Sequence, residues 1–214
     1  MDILTVYTVM LWKWRQQAKR RTMAEQARVS AGIGGSLALE FANTAGWHLA
    51  QQPVERLGGW RDLVRWAVEL KLVQPDQMDD LSGAAVEIGP ALDLREAIFR
   101  IGVAVGRGNA PQESDLNAVM AQASAPPPSA IWSGGSLSWR FQRQSALPQL
   151  LGIVARDAVA LLASDRATRL RLCAGSDCGW LFLDESRGKP RRWCSMSDCG
   201  NRSKARRAYA RRKG

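Results

Sequence analysis

The chain holds four cysteines, Cys173, Cys178, Cys194 and Cys199, spaced as two Cys-x4-Cys pairs with fifteen residues between them. Two close pairs joined by a short β-forming stretch suit a tetrahedral zinc site, because each pair sits on a turn that aims two sulfurs inward. The expected ligands are therefore all four thiolates, and the expected cofactor is one structural Zn2+ ion. Four thiolates leave no open position for water, so a catalytic metal is not expected. A thioredoxin-type site would want Cys-x2-Cys beside a βαβ unit. An iron–sulfur cluster can use four cysteines, but the symmetric pairs and the absence of a cysteine-rich run favour zinc.

Directly after the fourth cysteine comes GNRSKARRAYARRK, a basic ladder with no helix breaker past its opening glycine. Residues 1–165 hold 16 Lys+Arg and 16 Asp+Glu, whereas residues 166–214 hold 14 basic against 4 acidic residues, and 14 − 4 = +10 is the net charge of the whole chain. An excess confined to one end points to a polyanionic partner. Arg202, Lys204, Arg206, Arg207 and Arg211 are the candidate DNA contacts. Arginine can meet phosphate and can also form two hydrogen bonds to guanine. Few aromatics stand near the ladder, which favours double-stranded DNA over stacked single strands. A solvated basic tail is the competing reading, and Arg202 could instead offset the thiolate charge.

The elements that must position these groups are mostly helices. Ser36 is a candidate N-cap for a short helix bearing Leu37 and Phe41. Trp60, Leu63, Val64, Ala67 and Leu70 follow helical spacing, as do Leu94, Ile98, Ile101 and Val105, and Leu116, Val119, Met120 and Ala123. Asp79 and Asp80 read as a first-turn acidic pair near Pro75. APPPS at 125–129 breaks the pattern, and AIW–GG–SLSWRF reads as a β-hairpin. Residues 147–164 return to helix with a wide apolar face. The fold class expected is α+β: a mainly helical N-terminal domain with a small β-hairpin element, then a small four-cysteine finger of β-hairpin plus helix. In that finger WLFLD and RRWC are expected to pair around the turn ESRGKP.

Composition sets the remaining bounds. At 46% hydrophobic and 23% charged residues, the chain can bury a full core, and most of its nine tryptophans are expected to be buried anchors. No apolar run appears long enough to span a bilayer, so no membrane partner is expected. The opening MDILTVYTVMLWKWRQQAKRR lacks the basic leader and cleavage site of a secretory signal. Residues 1–30 are expected to be a poorly ordered extension, and the compartment to be cytoplasmic. The lone His48 has no nucleophile or metal partner nearby in sequence, and is read as a partly exposed loop residue rather than part of an enzyme.

RLCAGSDCGWLFLDESRGKPRRWCSMSDCGNRSKARR closely resembles the CGNR-type zinc finger, whose namesake tetrapeptide stands here as Cys199-Gly200-Asn201-Arg202. LALEFANTAGWHLAQQPVERLGGWRDLVRWAVELKLV resembles the start of the ABATE domain, which precedes this finger in many bacterial proteins. Together the two cover roughly Ser36 to Lys213. The resemblance implies an ABATE-like domain at 31–165 and a finger at 166–214, in a stress-related transcription regulator. Within it, Asn43, Thr44 and Glu55 are candidate lining for a polar ligand pocket, though capping and loop hydrogen bonds would explain them nearly as well. The function expected is a DNA-binding transcription regulator whose N-terminal domain senses a small-molecule effector or forms a homodimer. The alternative is a zinc-stabilised adaptor for protein or structured RNA.

Overall fold

The computed structural model describes residues 32–83, 85–133 and 136–213. The expected extension over 1–30 and the Gly134-Gly135 turn lie outside the described residues. Helix α1 (Leu37–Ala42) starts at Ser36, whose Oγ accepts the Leu39 N–H at 3.3 Å. The free Ala38 N–H donates to Asp157 Oδ2 at 2.8 Å, so a first-turn donor is satisfied from a distant helix. Strands β1 (Ala45–Gly46) and β2 (Val54–Glu55) form a short antiparallel ladder. Helix α2 (Trp60–Glu69) buries Trp60, Leu63, Val64 and Ala67 as the spacing predicts, and Trp66 as well. The Trp60 indole donates to Leu81 O at 2.7 Å, tying α2 to α3 (Met78–Ser82), whose first turn carries Asp79 and Asp80.

Helix α4 (Gly89–Gly106) buries Leu94, Ile98 and Ile101, with Val105 half-buried. On α5 (Glu113–Ala123) the expected stripe is narrower. Val119 is buried but Met120 is 54% exposed, because neighbouring positions on a helix point about 100° apart. Asp115 is buried instead, held by Arg100 at 2.6 Å. Strands β3 (Ser129–Ser133) and β4 (Ser136–Arg140) make the expected antiparallel hairpin. Among the described tryptophans only Trp60 and Trp66 are buried, and Trp132 on β3 is 73% exposed. The anchor role therefore belongs to α2.

Helix α6 (Ala146–Leu162), with the turn before it, is long and apolar enough to cross a bilayer. That corrects the expectation that no such stretch exists. Its surroundings explain the composition: Gln149, Leu150, Leu151, Val154, Ala155 and Ala158 are buried, and it packs on α1, α4 and α5. Arg156 donates to Ala123 O and Ala125 O, each at 2.9 Å. It is the central core helix.

The C-terminal hairpin pairs differently from the expectation. β5 (Leu170–Leu172) and β6 (Leu181–Leu183) form the antiparallel ladder, with Leu170 opposite Leu183 and Leu172 opposite Leu181. The ladder thus closes around the first cysteine pair, and RRWC supplies no strand. The 191–194 limb is held by other means: Ala174 N–H donates to Arg192 O at 2.9 Å, and the Arg191 guanidinium binds the carbonyls of Trp193 and Cys194.

β6 alternates as a strand should. Phe182 faces the cysteines, while Leu181 and Leu183 turn towards the helices. Gly102 on α4 makes room for Leu181, since a Cβ there would lie 2.3 Å from Leu181 Cδ1. The Asn43 side chain then acts as one more strand partner: its Nδ2 donates to Leu181 O and its Oδ1 accepts from Leu181 N–H, both at 2.9 Å. The described residues accordingly form one compact unit, in which the hairpin and the helices share apolar surface.

Replacing Asn43 by Ala leaves a buried N–H and a buried C=O of Leu181 without partners. We expect a loss of about 2–4 kcal/mol in urea unfolding of the zinc-loaded chain. A loss below about 0.5 kcal/mol would mean that water or backbone takes over these bonds.

Candidate metal centre and basic helix

All four cysteines are buried, and their sulfurs lie within 4.8 Å of one another. Cys178 Sγ is 3.7 Å from Cys194 Sγ, which is 3.5 Å from Cys199 Sγ. These separations exclude disulfides, whose sulfurs stand about 2.05 Å apart. They match the roughly 3.8 Å edge of a tetrahedron with metal–sulfur bonds of about 2.3 Å. The first pair sits on a turn closed by Cys178 N–H to Gly175 O at 3.2 Å. A Cβ on Gly175 would lie 3.0 Å from Cys178 Cβ and 3.4 Å from Cys199 Sγ, so a side chain there would crowd the sulfurs. Gly179 leaves the turn at φ +70°, a left-handed conformation suited to glycine. The second pair is bridged by a wide π-type turn, Met196–Gly200, that runs straight into helix α7 (Asn201–Lys213).

The electrostatics call for a cation. Hydrogen bonds from the other three thiols, Cys178 first, hold the Cys173 thiol far below its ordinary value. Cys178 and Cys194 are pushed up, chiefly by their hydrogen bonds with Cys173. Four sulfurs this close cannot all ionise alone, and a dication removes the conflict by letting each become a thiolate. Cys194 N–H also donates to Cys173 Sγ at 3.3 Å, as expected for a charged sulfur. Phe182, Trp180, Trp193 and Ile33 pack around the cluster.

The structure separates the five basic residues singled out from the sequence. Arg202 is drawn into the metal centre: it donates to Cys199 Sγ at 2.9 Å, pairs with Asp198 at 2.5 Å and lies over the Trp47 ring at 4.1 Å. Lys204, Arg206, Arg207 and Arg211 are exposed along α7. Arg206 also donates to Ser176 Oγ at 2.7 Å, bracing the helix against the first cysteine turn. Ala205 and Tyr209 are exposed and Ala208 only half-buried, so the narrow apolar strip buries little.

Asn43, Thr44 and Glu55 are not brought to one pocket. Asn43 is spent on Leu181, and the buried Thr44 hydroxyl donates to Phe41 O at 2.7 Å. Glu55 alone lines an open cleft of about 550 Å³, with Ala45, His48, Pro53, Arg95, Glu96 and Phe99 among its neighbours. Arg95, 4% exposed, grips Glu55 through both carboxylate oxygens at 2.6 and 2.7 Å. Burial alone would raise Glu55, but the Arg95 fork outweighs it and holds the carboxyl below its usual range. His48 is less exposed than its loop position suggests. Its side chain is 8% exposed, bonded to Glu96 at 2.8 Å and stacked on Phe99 at 3.5 Å. Arg95 and Glu96 escaped notice because they lie on a helix conspicuous only for its apolar stripe.

A hairpin and a helix sharing four buried, tetrahedrally spaced cysteines define a tetrathiolate zinc finger, here seated on a helical domain. Residues 169–212 match the CGNR zinc finger profile, and the four cysteines are placed to bind one structural zinc ion. The chain belongs to the ABATE family, whose profile matches residues 35–165 and whose description reads "Putative stress-induced transcription regulator". No curated protein matches the chain.

Proposed function

We propose that the chain is a DNA-binding transcription regulator of the cytoplasm, which presents α7 to duplex DNA. One observation carries the reading. Lys204, Arg206, Arg207 and Arg211 are exposed on a helix that continues directly from the fourth zinc ligand, so their charge is mounted rigidly. A solvated tail would need no such mounting. The helical domain adds control, as an effector sensor or as the surface that pairs two copies. The cleft beside Glu55 supports sensing, because the same loop touches the finger: His48 N–H donates to Cys178 O at 3.1 Å, and Trp47 underlies Arg202. The exposed Trp132 and Met120 are among the apolar side chains available for pairing.

The test is fluorescence anisotropy with a random duplex at modest salt. The full zinc-loaded chain should bind, and a chain ending at Arg202 should not. Equal binding by both would remove α7 from the reading and leave the adaptor for protein or structured RNA in its place.

A further inference from the structure

A tetrathiolate zinc centre carries a net charge of −2, and burying it requires nearby positive charge. Arg202, one turn beyond the last ligand, supplies one guanidinium by its bond to Cys199 Sγ. The other candidate comes from far away in sequence. Arg56, just after β2 in the ABATE segment, stacks its guanidinium over Trp180 at 5.3 Å, two residues past Cys178. Its partners are few. Nη1 reaches Asn43 O at only 3.5 Å, and Nε is buried with no hydrogen-bond partner. Among the described residues no carboxylate pairs with its guanidinium: the adjacent Glu55 carboxylate accepts the backbone N–H groups of Arg56 and Leu57 and goes to the Arg95 fork.

A half-buried cation without a carboxylate is costly unless another anion faces it. The Trp180 ring under the Arg56 guanidinium packs against the four-cysteine cluster. Two other arginines near the cluster are placed differently: Arg191 lies over Phe182 at 4.3 Å and binds the carbonyls of Trp193 and Cys194, and Arg192, over Trp193 at 5.5 Å, is exposed to solvent. Gly46 completes the seat for Arg56. A Cβ there would lie 3.0 Å from Arg56 Nη2 and 3.5 Å from Cζ, so the glycine leaves room for the guanidinium.

We propose that Arg56 is a charge-balancing, positioning residue of the zinc centre, supplied by the ABATE segment, so that the metal site is complete only when the two segments pack together. Arg202 and Arg56 then offset the −2 of the tetrathiolate, one from each segment. The prediction concerns how tightly zinc is held, and is independent of whether the protein binds DNA.

The experiment is chelator competition for zinc on full-length chains, with far-UV circular dichroism as a check of folding. Arg56→Gln should weaken zinc binding by roughly 10-fold or more, the scale of lost outer partners at metal sites. Arg56→Lys keeps the charge and should recover most of that loss. Gly46→Ala pushes the guanidinium aside without removing it, and should fall between wild type and Arg56→Gln. The proposal is overturned if Arg56→Gln holds zinc within about twofold of wild type. It is equally overturned if Arg56→Lys loses as much as Arg56→Gln, since the residue would then act only as a flat plate on Trp180. Should Arg56→Gln fail to fold, Gly46→Ala decides alone, and unchanged zinc affinity there counts against the proposal.

Discussion

Removing zinc from the intact protein should lower the melting temperature of its helices, and not only unravel the finger. Structural zinc supplies on the order of 10–16 kcal/mol in isolated finger peptides, as much as the whole stability of an ordinary domain. Without it the four sulfurs crowd one another, and the 173–199 segment loses its centre. From spacing alone, the damage would stop near residue 170, because the apolar cores look separate in sequence. The structure joins them. Leu170, Leu181 and Leu183 are 1%, 0% and 4% exposed, and all belong to the finger's hairpin. Leu170 and Leu181 pack at Gly106 and Gly102 of α4, and Leu183 covers Gly35. Uncovering three leucines costs about 1.5–3 kcal/mol each, so roughly 5–9 kcal/mol leaves the shared core. At about 2–4 °C per kcal/mol for a chain of this size, the helical melt should fall by more than about 10 °C. Circular dichroism at 222 nm with and without chelator reads the shift, with zinc loss verified by elemental analysis. Cys194→Ser should behave like the stripped protein. An unchanged helical melt after verified zinc loss would show that the two segments are energetically independent.

Duplex binding should weaken steeply with salt, with a log–log slope of about −3.6. Each phosphate contact releases condensed counterions and contributes about −0.9. Five contacts would follow from the sequence, but Arg202 is committed to Cys199, Asp198 and Trp47, which leaves Lys204, Arg206, Arg207 and Arg211. Between 50 and 200 mM salt the affinity should then drop roughly 150-fold. Arg207→Ala or Arg211→Ala should weaken all sequences alike and flatten the slope by about one unit. Arg202→Ala should leave the slope nearly unchanged and loosen the metal centre instead. A slope near zero, or a full unit lost with Arg202→Ala, would reverse this division of labour.

Residues in short-range patterns were legible in advance. The cysteine pairs, the α2 spacing and the breaker-free run behind Cys199 each state their structure within a few positions, because local geometry and ligand chemistry decide them. What escaped depends on partners far along the chain. The strand that meets LFL could not be chosen between LRL and RRWC by propensity, since both flank a cysteine turn. Asn43 resembled a pocket residue because an amide that completes a ladder 138 positions away leaves no local trace. Arg56 sits in an unremarkable PVERL, and its setting is made by Trp180 and Gly46. Val119 and Met120 show the finer limit: both are apolar, and only the packing of α6 on α5 decides which one is covered.

The bond between Asn43 and Leu181 has a consequence for anyone who would build chimaeras from this chain. A zinc finger is usually treated as an interchangeable cassette, cut at its flanking linker and moved to a new host. Here the cut between 165 and 169 would sever little covalently but would strip the hairpin of an amide that completes its edge, and of the glycine groove that receives its leucine. The transplantable piece is therefore discontinuous, consisting of residues 169–213 together with the 43–56 loop and the Gly102 face of α4. A graft that carries only the first should misplace its own basic helix, even with zinc bound.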